Sequence, residues 1–256
     1  MDILEVYNRF YQYIYNYALR LSCHPEDAYD ITQETFLIAL TKLDTLKNKE
    51  AIQGWLRTIC YNRFIDQTRK DKYLVEIDDW EQLEKEGRLL NTAEIQPEQE
   101  VIVSEEIREL QNGCFLAMVR KLTLNQRIVF SLVDMYGMKL EEVSTILGVS
   151  ESAAKGLLYR ARMNIDSFFA DHCDLIYEKN PCSCKAWMEF SSRRIDLQKD
   201  TKKLIKKLNF TQEGYVFNET VRGKVYYLYK NMPDKKPSDE WYKKVLNILE
   251  KSFEKA

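Results

Sequence analysis

Residues 139–164 decide the fold, and their sequence is KLEEVSTILGVSESAAKGLLYRARMN. A first helix is predicted by four apolar residues at three- and four-residue spacing: Leu140, Val143, Ile146 and Leu147. Gly148 is expected to end that helix, because glycine adopts the left-handed backbone conformation at little cost. Ser150 is a suitable N-cap for a second helix. The pattern predicts a helix-turn-helix, in which the second helix enters the major groove of DNA.

The second helix carries small and apolar residues that are predicted to face inward: Ala153, Ala154, Leu157, Leu158 and Ala161. Its other side chains are candidates for contacts with phosphates and base edges: Ser150, Glu151, Ser152, Lys155, Tyr159, Arg160 and Arg162. A glutamate can accept from the amine of cytosine, and a lysine can donate to guanine or to phosphate. The alternative is an ordinary helical hairpin with solvated basic positions.

Three further helices are predicted before residue 73. A helical stripe of apolar residues runs from Val6 to Leu21, and Pro25 with the acids after it starts a second helix that extends to about Leu43. A loop containing Lys47, Asn48 and Lys49 precedes a third helix, from about 52 to 70. These helices indicate a first domain over residues 1–72.

Charge is distributed unevenly along the 256 residues, although 38 basic and 40 acidic side chains nearly cancel. Residues 73–106 contain 11 acidic and 2 basic side chains, whereas residues 201–256 contain 13 basic and 7 acidic ones. We interpret 73–104 as an acidic flexible linker and 105–170 as a second helical domain that includes the helix-turn-helix.

The tail, residues 171–256, is predicted to be a small α+β extension. A helix is expected at about 185–208, strands at 215–218 and 225–229, a turn at 222–224 and a last helix at about 238–253. The basic tail could contact upstream DNA, fold back on the DNA-binding face or hold the protein inactive. It could also be a small solvated domain with lysine-rich helix faces.

Six cysteines fall into two groups. Cys23, Cys60 and Cys114 stand among apolar neighbours and indicate buried thiols. His172, Cys173, Cys182 and Cys184 form a cluster with ligand types that suit tetrahedral zinc. Three interpretations of this cluster are open: a zinc site, a redox dithiol and a plain reduced turn.

Other classes of protein are disfavoured by what the sequence lacks. It has no secretion signal and no apolar run long enough for membrane insertion, so we expect a cytoplasmic protein. It has two histidines, no glycine-rich phosphate loop and no nucleophile with a supporting base, so we expect neither an enzyme nor a small-molecule substrate.

Three segments together resemble one family, in order, spacing and content. They are DAYDITQETFLIAL at 27–40, WLRTICYNRFIDQTR at 55–69 and LTLNQRIVFSLVDMYGMKLEEVSTILGVSESAAKGLLYRAR at 122–162. This combination resembles the extracytoplasmic-function sigma factors, which are sigma-70-type subunits that bring RNA polymerase to promoters. The resemblance covers roughly residues 1–170.

The resemblance implies a mainly α-helical protein with two sigma domains, region 2 at 1–72 and region 4 at 105–170. It implies that a polar face of the second helix docks on the clamp of the polymerase core: Asp27, Asp30, Gln33 and Glu34. It also implies possible control by an anti-sigma factor.

The resemblance further implies that the third helix and the preceding loop open and read the −10 element. The candidate residues are Lys47, Asn48, Lys49, Trp55, Arg57, Tyr61, Asn62, Arg63, Asp66 and Arg69. Aromatic rings can stack on unpaired bases, but Trp55 could equally be a core residue. The helix-turn-helix would read the −35 element. There the chain has Gly156-Leu157 where many relatives have Ser-Arg, which removes one candidate phosphate contact.

A one-component regulator that binds DNA without polymerase is the alternative function. It requires the helix-turn-helix but leaves the first domain unexplained.

Overall fold

The computed structural model describes residues 2–71, 114–116, 118–180, 216–230 and 232–253. The predicted acidic linker, the predicted helix at about 185–208, Tyr215, Cys182 and Cys184 lie outside this part of the chain. Residues 1–75 and 233–256 belong to one compact unit, called unit 1, and residues 76–232 to another, called unit 2. The described tail is therefore divided between the two units.

Residues 2–71 of unit 1 form three helices, with short 3-10 turns before the third. They are α1 (Ile3–Ser22), α2 (Pro25–Lys42), the 3-10 turns Leu43–Thr45 and Lys49–Ala51, and α3 (Ile52–Asp71). Asp2 caps α1 together with Glu5, and Pro25 occupies the first turn of α2, where its missing N–H costs nothing. The apolar faces meet in a core that includes Tyr17, Phe36 and Phe64. The three predicted helices are confirmed.

The last helix of the chain, α8 (Asp239–Phe253), packs on α1 and α2 and completes unit 1. Val245 and Leu249 are fully buried. Tyr242 stacks on Tyr7 with ring centroids 5.3 Å apart, and the Tyr7 hydroxyl donates to the Tyr242 carbonyl oxygen at 3.2 Å. Because burial disfavours the phenolate, the pKa of Tyr7 is raised. The end of the tail is thus a fourth helix of unit 1.

Unit 2 contains the predicted helix-turn-helix. Its helices are α4 (Leu124–Phe130), continued by a π-helical turn (Ser131–Met135), α5 (Leu140–Leu147), α6 (Glu151–His172) and α7 (Glu219–Lys230). Residues 114–116 and 118–120 are also helical. Gly148 has φ +65° and ends α5, and the Ser150 hydroxyl accepts from the Ala153 N–H at 3.2 Å to cap α6. Both signals are confirmed at the predicted residues.

Two details of the prediction are wrong. Ala153 is exposed, so the inward face of α6 near its start is formed by Ala154, Leu158 and Ala161. The predicted strand at 225–229 and the turn at 222–224 both lie inside helix α7, and residues 216–218 are not in a strand. After residue 216 the described elements of the tail are therefore two helices, α7 and α8, and the α+β description of the extension is not supported.

The helix α7 forms because its buried residues recur every fourth position. Val221, Val225 and Tyr229 are on one face and are all buried. The β-branched and aromatic composition of this stretch favours a strand, but burial of a helical stripe against unit 2 outweighs that local preference.

Candidate nucleic-acid and polymerase interfaces

The predicted polymerase-binding residues share the exposed side of α2 that lies next to α3. Asp30 and Glu34 are exposed, and Asp27 and Gln33 are half-buried. The Gln67 side-chain amide donates to Asp27 at 3.4 Å, and an Arg63 guanidinium nitrogen is 3.9 Å from a Glu34 carboxylate oxygen. The structure thus joins the predicted polymerase face to the predicted −10 helix along one side of unit 1.

The candidates for the −10 element divide by exposure. The loop residues Lys47, Asn48 and Lys49 are exposed, and the Asn48 side chain accepts from the Glu50 N–H at 2.9 Å, which caps the second 3-10 turn. On α3, Asn62 and Arg69 are exposed. The loop and these two helix positions offer polar groups to a ligand.

The remaining −10 candidates on α3 are half-buried: Trp55, Arg57, Tyr61, Arg63 and Asp66. The core of this helix is formed instead by Ile52, Leu56, Cys60 and Phe64.

Trp55 is therefore not a fully buried core residue. Burial raises the pKa of Tyr61, so its hydroxyl is held neutral. Arg63 and Asp66 pair with each other on the same helix.

Four of the predicted −35 contacts, Glu151, Ser152, Lys155 and Tyr159, are all exposed, and we call these residues, predicted to face DNA, the DNA-facing stripe of α6. Their spacing of three and four residues places them on one side of the helix. The turn at Gly148 and the Ser150 cap fix where this stripe begins. Arg160 is also exposed, and its guanidinium lies over Gly156, 3.4 Å from where a β-carbon on that glycine would be.

Arg162 has a different environment from the other −35 candidates. Its Nε and Nη2 atoms donate to the two carboxylate oxygens of Asp134 at 2.8 and 2.6 Å. Asp134 is in the π-helical turn, and its side chain is 5% exposed. This bidentate ion pair raises the pKa of Arg162. Because the guanidinium already binds Asp134, it is poorly placed to bind a phosphate.

The pair of Asp134 and Arg162 is half of a larger group that the sequence did not reveal. Arg222, from the tail helix α7, donates to Asp166 on α6 at 2.8 Å and has a nitrogen 3.8 Å from Asp134. We call Asp134, Arg162, Asp166 and Arg222 the ionic cluster. Arg162 and Asp166 are four residues apart on one helix, which is a spacing that favours an ion pair between them. Each of them instead pairs with a residue from another element, Asp134 and Arg222, and the sequence spacing identifies neither of these partners.

Asp166 is fully buried, and burial raises its pKa to about 6 although Arg222 opposes this shift. Its second carboxylate oxygen has no hydrogen-bond partner among the described residues. The hydroxyl of Tyr229, also from α7, donates to Asp134 at 3.1 Å and accepts a hydrogen bond from the Arg222 guanidinium. The ionic cluster therefore attaches the tail helix α7 to α6.

The predicted metal ligands can be followed only in part. The His172 ring stacks on Phe168, and its Nδ1 lies 2.7 Å from the Phe168 carbonyl oxygen, while Cys173 is buried. Within the described ranges, no group of three His, Cys, Asp or Glu side chains is arranged to hold a metal ion. The zinc site stays a prediction, since two of its four residues lie outside those ranges.

Two of the three cysteines that were predicted to be buried are buried, and the third is partly exposed. Cys23 and Cys60 are buried and Cys114 is partly so. Burial raises the pKa of Cys60 to about 12, which makes its thiol unreactive near neutral pH.

Comparison with known proteins identifies both units. The family model described as Sigma-70 region 2 matches residues 6–73, and the one described as Sigma-70, region 4 matches residues 112–165. No solved structure matches the chain significantly. None of the helices in the described residues is long and apolar enough to span a membrane.

Relatives cover about two thirds of the chain. RNA polymerase sigma factor YlaC of Bacillus subtilis is 32% identical over 168 residues, which are 64% of this chain and 90% of that protein. ECF RNA polymerase sigma factor SigM of Bacillus subtilis is 28% identical over 66% of this chain and 96% of its own length. ECF RNA polymerase sigma factor BldN of Streptomyces coelicolor is 30% identical over 61% of this chain and 56% of its own.

These relatives are sigma factors, and a one-component regulator is not favoured because it would leave the region 2 match without a role. The chain, with region 2 in unit 1 and region 4 in unit 2, belongs to the extracytoplasmic-function subfamily of sigma-70-type RNA polymerase sigma factors, which direct the polymerase to promoters.

Proposed function

We propose that this sigma factor binds the polymerase core through the polar face of α2 and reads promoters with two separate surfaces. Residues 47–49 and the exposed side of α3 open and read the −10 element. The DNA-facing stripe of α6 reads the −35 element. The protein acts in the cytoplasm as a non-enzymatic subunit, and an anti-sigma factor would control it.

The exposed stripe on α6 is the observation that carries this proposal. A recognition helix needs side chains near its N-terminus that are free to reach base edges, and its opposite face must be fixed by packing. Here Glu151, Ser152, Lys155 and Tyr159 are exposed, while Ala154 and Leu158 anchor the helix. We leave Arg162 out of the DNA contacts, because Asp134 engages it.

The test is transcription by core RNA polymerase with the full chain on a library of promoter fragments. We expect discrete transcripts from a subset of fragments, and none with core alone. Absence of any complex with core, together with tight binding of the isolated chain to duplex DNA, would refute the proposal and favour a one-component regulator.

Two charge variants separate the surfaces. Asp30→Lys should weaken the complex with core, because it reverses an exposed charge on the α2 face, whereas Glu250→Lys alters an exposed acid on α8 and should not. Lys155→Ala should reduce binding to promoters with a −35 element by about 1–3 kcal/mol if Lys155 contacts a base. Lys179→Ala, an exposed lysine after α6, is its matched control.

A further inference from the structure

The ionic cluster holds two carboxylates whose side chains are almost completely removed from solvent. Asp134 is 5% exposed and Asp166 is fully buried. Arg162 uses two of its nitrogens on Asp134 alone. Arg222 is therefore the residue that pairs with Asp166, at 2.8 Å, and it also comes within 3.8 Å of Asp134. Without it, a buried carboxylate would be left without a partner, which is strongly unfavourable.

Arg222 is held in this position by the packing of its own helix. Val221 and Val225 are buried on either side of it along α7. The Tyr229 ring packs against those of Phe115 and Phe130, with centroids 5.2 and 5.3 Å away, inside the core of unit 2. The tail helix is thus built into unit 2, and its arginine is fixed rather than solvated.

The ionic cluster lies on the same face of α6 as the DNA-facing stripe. Successive steps of three or four residues lead from Lys155 to Tyr159, Arg162 and Asp166. The first two positions are exposed, and the last two are held by the π-helical turn and by α7. Tyr159 also lines a cleft of about 400 Å³ together with Phe217, Arg222 and Tyr226. Contacts at the C-terminal half of α6 therefore fix the direction in which its N-terminal half points.

We propose that Arg222 of the tail is a positioning residue for promoter recognition: by neutralising Asp166 beside Asp134, it fixes the orientation in which α6 presents Lys155 and Tyr159 to the −35 element. This inference rests on the proposed role of α6 in reading that element. It makes residues 216–230 a required part of the DNA-reading unit rather than a detachable inhibitor.

The test is a double-mutant cycle in the full chain with core polymerase. The variants are Arg222→Ala, Asp166→Asn and the two combined, and Lys230→Ala is the matched control, since it removes one exposed positive charge from the same helix. Transcription is compared on a promoter selected by the wild-type holoenzyme and on the same promoter with its upstream −35 segment scrambled. The ratio of the two rates measures −35 recognition, and the rate on the scrambled promoter measures the function of unit 1.

We expect Arg222→Ala to lower the ratio by about tenfold, or ~1.4 kcal/mol, with the scrambled-promoter rate unchanged. Lys230→Ala should stay within about twofold of wild type. Because Arg222 acts by neutralising Asp166, the combined variant should regain part of the ratio that Arg222→Ala loses. Arg222→Lys should recover part of the ratio, since it keeps the charge but loses the guanidinium fork.

Four outcomes would overturn the inference. An Arg222→Ala ratio equal to that of Lys230→Ala, or higher than wild type, would mean that the tail does not position α6. Multiplicative losses in the combined variant would mean that Arg222 acts independently of Asp166. If Arg222→Ala loses helical circular dichroism, the combined variant decides, because it contains no orphaned carboxylate at 166, and failure to regain the ratio would count against the inference. A wild-type ratio of one would instead show that the proposed −35 role of α6 is wrong, and the inference would fall with it.

Discussion

Asn16 and Lys235 exchange two hydrogen bonds. The Asn16 side-chain amide donates to the Lys235 carbonyl oxygen, and the Lys235 N–H donates to the Asn16 side-chain oxygen Oδ1, both at 2.8 Å. Asn16 is buried on α1, and next to it Arg20 forms an ion pair with Asp234 at 2.7 Å. One side chain of the sigma domain thus satisfies both main-chain groups of a residue in the tail, which fixes the path of the chain into α8.

Asn16→Ala should lower the free energy of unfolding of unit 1 by about 1–3 kcal/mol, because it leaves two main-chain groups of Lys235 without their partners. Denaturant unfolding followed by circular dichroism measures this change. Gln12→Ala, at an exposed position of the same helix, is the control and should change it by less than about 0.5 kcal/mol. Equal effects of the two substitutions would show that the pair does not hold the tail.

Leu249→Ala should destabilise unit 1 by about 2–5 kcal/mol, although it lies within the last eight residues of the chain, because Leu249 is fully buried. Thermal unfolding of the full chain detects this loss, with the exposed neighbour Glu250→Ala as the control. A Leu249→Ala protein with wild-type stability would mean that α8 is not part of the unit 1 core.

Arg160→Ala should weaken DNA binding without affecting stability, whereas Arg162→Ala should lower stability. Arg160 is exposed, so its loss should leave stability within about 0.5 kcal/mol and reduce by about one the slope of logarithmic DNA affinity against logarithmic salt concentration. Arg162 pairs with a nearly buried Asp134 while remaining partly solvated, so its loss should cost about 1–3 kcal/mol of stability.

Denaturant unfolding and salt-titrated binding to a selected promoter duplex measure these two properties. An unchanged stability in Arg162→Ala would return Arg162 to the list of candidate phosphate contacts.

Asp166 should make unit 2 less stable as pH rises from about 4 to 6. Its folded pKa of about 6 exceeds the ordinary value of 3.8, so the folded state binds the proton more tightly in this window. The contribution of this group to the free energy of unfolding is therefore largest below pH 4 and is lost as pH rises through 6, by about 1–3 kcal/mol in total.

The measurement is the difference in free energy of unfolding between wild type and Asp166→Asn across this range, since the other carboxylates cancel in it. As pH rises, the free energy of unfolding of wild type should fall relative to that of Asp166→Asn. A difference that is constant with pH would show that Asp166 does not titrate in this window.

The sequence by itself determined the elements whose signals are local. The apolar spacing of α1 and α2, the glycine that ends α5 at 148 and the serine that caps α6 at 150 each depend on neighbours within a few residues, so the helix-turn-helix and its exposed stripe could be located without a structure. The family resemblance supplied the order of these elements and their roles.

Only the tertiary structure decided how the tail is used. Residues 225–229 have the composition of a strand, but the burial of Val221, Val225 and Tyr229 against unit 2 makes them helical. Asp134 and Arg222 are 88 residues apart in the sequence, and Asn16 and Lys235 are 219 apart, so no local pattern indicates that they meet. The physical reason is that propensity and capping act over one or two helical turns, whereas the pairing of buried charges and main-chain groups depends on which surfaces the whole chain brings together.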